Sequence, residues 1–132
     1  MPIAAVEGKK YSDVFKQELW IDTAYCREVG TANESAATSY VVGDVLGKVT
    51  ATGKLKRCVQ TASDGSQNAY AVVINPTSVS ASTDTKTLVA FRGPIAVLKS
   101  GLTLDSTFDT DVKKQEVYDA LTAKGYQVLE SL

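Results

Sequence analysis

Strand-forming runs broken by glycine turns dominate the middle of this chain and narrow what it can fold into. From Ser39 to Asn75 it reads "SYVVGDVLGKVTATGKLKRCVQTASDGSQNAYAVVIN". Two strands are expected within "VVGDVLGKVTATGKLKRCVQ", joined at "ATGK", where Gly53 supplies the positive φ of a tight turn. A second reversal is expected at "SDGSQN", since Asp-Gly favours it. A buried strand, "AYAVVIN", then runs up to Pro76.

Further strands follow from composition and punctuation. "ELWIDTAYC" is rich in β-formers and predicts a strand at about 18–26, with Trp20 in the core. "KTLVAFRG" and "PIAVLKSG" predict two strands meeting at Gly93-Pro94, where a residue without an N–H requires a bend or an edge. "REVGTANESAATSY" and "PTSVSASTDT" read as polar loops of small residues. The one convincing helix lies in "DTDVKKQEVYDALTAKG". Asp109 or Thr110 caps it, Asp111 sits in its first turn, and Val117 and Leu121 face inward together. A short strand at Tyr126–Leu129 closes the series. The fold class is α+β: a small, β-dominated domain, mixed-sheet or barrel-like, with one late helix.

Residues 1–17 read as an N-terminal arm, and 18–132 as a single domain. Short apolar groups are followed by the polar patch "EGKKYSD", which has the composition of a flexible segment. Either the terminus is frayed, or it is an arm that orders on binding, with Pro2, Ile3, Ala4, Val6, Tyr11 and Phe15 as its contact residues.

Charge and reactive groups exclude several functions. With 14 basic and 15 acidic residues, the net charge of -1 gives no global attraction to nucleic acid or to anionic membranes. The chain has no histidine, so Ser-His-Asp and Cys-His catalysis are ruled out within it. Cys26 and Cys58 are too few for a zinc site. They fit two reduced thiols of a cytosolic product, with a disulfide as the alternative. The N-terminus has no apolar stretch long enough for a signal core or a membrane span, so release into the cytoplasm where it is made is expected. Asp22, Glu28, Asp44, Asp64, Asp84 and Asp105 read as solvated turn and loop acids. "DSTFDTD" lacks the glycine and glutamate of a calcium loop and reads as helix capping. In "KLKR", alternation sends Lys54 and Lys56 to one face and Leu55 and Arg57 to the other, as in a rim of salt bridges. No motif supports an enzyme, and none calls for a cofactor or metal.

The order of these pieces resembles the head decoration proteins of lambda-type tailed phages. It is carried by "GDVLGKVTATGKLKR", then "DGSQNAYAVVI", then "TLVAFRGPIAVL", and a final helix running into "GYQVLESL". The resemblance implies a homotrimer on the outer surface of an expanded icosahedral head, at three-fold and quasi-three-fold sites. There it would bind the major capsid protein and stabilise the shell against packaged DNA. It also implies an N-terminal arm that orders on the capsid, in the place of Pro2–Lys16. The residues themselves leave a second class open: a virion-displayed or secreted β-rich module for a host surface or glycan, with Tyr40 and Tyr70 as its aromatics.

Overall fold

The computed structural model describes residues 10–18 and 25–130. Its centre is a closed barrel of strands in the order β2-β5-β4-β6-β8. These are β2 (Arg27–Ala32), β4 (Val45–Lys48), β5 (Leu55–Arg57), β6 (Ala69–Val73) and β8 (Thr85–Ala90). A two-stranded ribbon of β3 (Thr38–Tyr40) and β7 (Thr77–Val79) accompanies it. Against the barrel packs a three-stranded sheet in the order β1-β9-β10, made of β1 (Phe15–Glu18), β9 (Ile95–Leu98) and β10 (Tyr126–Leu129). Two helices complete the fold: a single turn, α1 (Tyr11–Val14), and α2 (Asp111–Ala123). The fold is α+β and β-dominated, with one main late helix, as the sequence predicts.

Three barrel strands are apolar on both faces because each separates two cores. Along β6 and just beyond it, Ala71 and Val73 join Leu46, Leu55, Val89 and Tyr40 inside the barrel. Ala69, Val72 and Ile74 point the other way, into a larger core with Val45, Ala90, Ile95, Val97, Val117, Leu121 and Tyr126. Such a strand reads as a continuous hydrophobic run rather than an alternation. The turns that join these strands are where the sequence puts them. Gly53 has φ 72° and Gly65 has φ 104°, and Asp64 accepts from the Ser66 N–H at 3.0 Å.

The two segments expected as polar loops contain three strands, β2 and β3 in the first and β7 in the second. In "REVGTA", Val29 and Thr31 alternate with Glu28, Gly30 and Ala32, and the whole run pairs antiparallel with β8, from Arg27↔Ala90 to Ala32↔Thr85. Gly30 leaves room that the Leu55 side chain fills; a Cβ there would collide with it. In the other segment, β7 pairs with β3, which puts Val79 and Tyr40 into the barrel core. Small polar residues hide these strands because β-propensity reports fit to a half-buried surface more than backbone preference.

Helix α2 is capped by Thr110, whose hydroxyl accepts from the Lys113 N–H at 3.3 Å. Asp111 occupies its first turn, and Val117 and Leu121 are buried. Gly93-Pro94 forms the turn from β8 into β9, immediately ahead of Ile95.

The N-terminal boundary needs correction. Residues 11–18 belong to the folded body rather than to an arm ending at 17. Strand β1 pairs with β9 through Phe15↔Val97, Gln17↔Ala96 and Glu18↔Ile95. Phe15 is 3% exposed, and Val14 beside it is fully buried. Two adjacent apolar side chains with a core to enter are worth more inside it than in a solvated arm. Trp20 and most of the strand expected at 18–26 lie outside the described residues.

Candidate functional site

Of the contact residues expected in the arm, Pro2, Ile3, Ala4 and Val6 lie outside the described residues. Tyr11 and Phe15 are placed together: their rings stack with centroids 4.7 Å apart. Phe15 cannot serve as an exposed anchor, because it belongs to the core with Val14.

The Tyr11 hydroxyl donates to Glu18, and Arg27 closes on the same carboxylate through two bonds of 2.8 and 2.9 Å. The Arg27 guanidinium also lies 5.5 Å from the centre of the Tyr11 ring. Burial alone would raise the Glu18 carboxyl. The Arg27 guanidinium and the Tyr11 hydroxyl outweigh it and hold the group below its ordinary range. Burial, and then the bond to Glu18, push the Tyr11 phenol up to about 12. Nothing in the sequence separation of Glu18 and Arg27 signals this pair. It ties the first described segment to the first residue of β2.

A second polar group lies at the barrel end. Glu34 accepts from the Tyr40 hydroxyl and, at 2.7 Å, from the Arg57 N–H. Asp44 accepts from the Val41 N–H at 2.9 Å and from the Arg57 guanidinium at 3.3 Å. Asp44 is 1% exposed, so it is not the solvated acid its sequence context suggests. Tyr40 is likewise buried, its phenol raised first by burial and then by Glu34. It is therefore unavailable as a loop aromatic for a glycan. Tyr70 is half-buried, and its hydroxyl donates to Glu28 at 3.0 Å. Lys48 and Lys124 lie 4.8 and 4.4 Å from its ring centre.

The "KLKR" cluster behaves as a rim of ion pairs. Lys54 meets Asp84 at 3.0 Å, Lys56 meets Asp64 at 3.5 Å, and Arg57 turns inward with Leu55 to reach Asp44. Neither Cys26 nor Cys58 forms a disulfide, and both are buried. Burial, then the Asp105 carboxylate, push Cys58 up to about 12; burial, then Glu18, raise Cys26. A thiol in that state is a poor nucleophile at neutral pH. Among the described residues no group of histidine, cysteine and carboxylate side chains could hold a metal ion. No helix among them is long and apolar enough to cross a membrane. One modest cleft, about 230 Å³, opens on the three-stranded sheet between Gln17, Ala96 and Gln127. Its lining offers amides and backbone rather than an acid, base or nucleophile.

At the barrel end the buried acids Glu34 and Asp44 are held by Arg57 and by backbone N–H groups, an arrangement that serves the fold. The family model of the bacteriophage lambda head decoration protein D matches residues 4–126, and the chain belongs to that family. No curated protein matches the chain. Membership places the protein in the phage virion, as a structural component associated with the capsid.

Proposed function

We propose that this protein is a capsid cement: a trimer seated on the outer surface of the expanded phage head at three-fold and quasi-three-fold sites. There it holds neighbouring major capsid subunits together against the pressure of packaged DNA. The observation that carries this reading is the family match over residues 4–126. A closed barrel suits the task, since clamping needs stable shape and contact area rather than a reactive group. Trimer symmetry would match the local symmetry of the shell. Pro2, Ile3, Ala4 and Val6 are the proposed capsid contacts of the arm. Three arms engaged at once would turn a modest single-site affinity into tight attachment. The protein would be made in the host cytoplasm and join the head from outside.

Co-sedimentation with undecorated expanded heads and with unexpanded procapsids tests the proposal, alongside native mass spectrometry for the trimer. Saturable binding to expanded heads alone, at about three copies per local three-fold site, is the expected result. Binding to neither shell would end the proposal. Removing residues 2–9 should leave the fold intact and weaken attachment. Removing 2–16 takes away Tyr11, Val14 and Phe15 and should unfold the protein.

A further inference from the structure

The barrel closes unevenly. Parallel strands β2 and β5 meet at one residue pair, Ala32↔Leu55, with Asn33 N–H donating to Leu55 O at 2.9 Å. Upstream of that point β2 has β8 on one side and a cleft on the other. The antiparallel ladder fixes which groups face the cleft. Phe91 N–H donates to Cys26 O at 2.9 Å, so the alternation bonds Glu28, Gly30 and Ala32 to β8. Arg27, Val29 and Thr31 then direct their backbone groups away from β8, toward the seam. Among the described residues, nothing pairs with the backbone N–H and C=O of Val29.

The seam also has a distinctive lining. Val29 is 63% exposed and stands opposite half-buried Leu88 on β8. The opposite wall is the β4–β5 turn, and the two walls enclose an open cleft of about 370 Å³ that includes Lys48, Thr52 and Lys54. Lys54 pairs with Asp84, and the Glu28 carboxylate accepts from the Tyr70 hydroxyl. Lys48 rests on the Tyr70 ring, and Lys86 donates to the Thr31 hydroxyl at 2.8 Å. Neither makes a salt bridge among the described residues. The cleft thus combines unpaired strand backbone and an exposed apolar side chain with Lys48, while Lys86 lies at its margin, close enough to Asp84 to help hold that carboxyl below its ordinary value.

We infer that the β2 edge is a strand-acceptor site that takes an extended, acid-bearing segment of the capsid protein, an inference that rests on the proposed decoration role. Main-chain bonds to Val29 would supply affinity, as in other strand additions. An apolar side chain would cover Val29 and Leu88, and carboxylates would answer Lys48 and Lys86. A second copy of this chain fits less well, because pairing two β2 edges brings Lys48 and Lys86 of the two copies together; lysine on an open edge discourages self-pairing.

Hydrogen exchange followed by mass spectrometry, on the free protein and on the protein bound to undecorated expanded heads, tests the site. Amides of 27–31 facing the seam should exchange quickly in free protein and at least about tenfold more slowly on heads. The double variant Lys48→Glu, Lys86→Glu should lower head affinity about tenfold with its melting temperature little changed, and added salt should narrow the gap between variant and parent. Val29→Pro, which removes a seam-facing N–H and leaves the bonds to β8, should weaken binding as well. Binding to heads without new protection at 27–31 would overturn the strand-acceptor site and leave the decoration role standing. Failure to bind heads would overturn both. Concentration-dependent protection of 27–31 in the free protein would assign the edge to a second copy and overturn the capsid assignment.

Discussion

Strands β6 and β2 flank the same neighbour, β8, yet they live in different surroundings. β6 has β4 on its far side, and its two faces supply side chains to the two cores. β2 sends Ala32 inward but turns Val29 to solvent, and among the described residues most of its far edge has no strand partner. A strand covered on both faces and both edges acts as scaffold. One covered on a single face and a single edge keeps backbone and side chain available for a partner. Position in the barrel, more than composition, separates the two.

The contrast can be broken first on the covered side. Leu46 on β4 is fully buried in the barrel, and Leu46→Ala should cost about 3 kcal/mol. In a domain of this size that lowers the melting temperature by roughly 10 °C, readable by calorimetry. Next is Gly47, where a Cβ would sit inside the van der Waals shell of the Ser66 carbonyl. Gly47→Ala should cost about 2 kcal/mol by overpacking, visible as a lower urea midpoint. If either substitution is silent, the covered side is looser than its packing implies.

Where β2 is pinned, the effect should be intermediate and depend on pH. The Glu18 side chain is 1% exposed and that of Arg27 is 22% exposed, so Glu18→Gln should cost about 2 kcal/mol at pH 7, between exposed and fully buried pairs. The folded-state carboxyl lies below its ordinary value. Its contribution is therefore present above the unfolded value of about 4.3 and is lost as pH falls through the folded one. Urea melts of parent and variant should differ at pH 7 and converge as the pH falls through the folded-state value, which lies below the ordinary one. A gap that persists in acid would mean the loss is one of packing. The smallest effect belongs to the open side: Val29→Lys should change stability by less than about 0.5 kcal/mol. A larger loss would show Val29 to be covered in the free protein.

The same contrast explains what the sequence reveals. Both faces of β4, β6 and β8 are buried, so "DVLG", "AYAVVI" and "TLVAF" stand out as apolar runs. Gly53 and Gly65 stand out because only a residue without a side chain takes their φ cheaply. α2 is legible from the Thr110 cap and the Val117–Leu121 pair. β2 and β7 are obscured because their small and polar residues earn their place through cross-strand partners, which no local window contains. The tie between Tyr11, Glu18 and Arg27 escapes for a similar reason, since contacts across a sheet have no fixed spacing. Phe15 reads as part of the arm because a polar patch precedes it, while its place is decided by β9, far along the chain. The open β2 edge cannot be seen before the barrel is assembled.

The three-stranded sheet has a temporal consequence. Strand β9 is the middle member, with β1 on one side and β10 on the other. As the ribosome delivers the chain, every barrel strand has emerged once Ala90 is out, while β1 still lacks its neighbour. β9 and β10 come only afterwards. The barrel can close during synthesis, whereas the sheet must wait for Tyr126–Leu129. The segment leading from the proposed arm is thus made before the barrel but finds its partner only after it, so Phe15 waits unpaired until translation has passed β9.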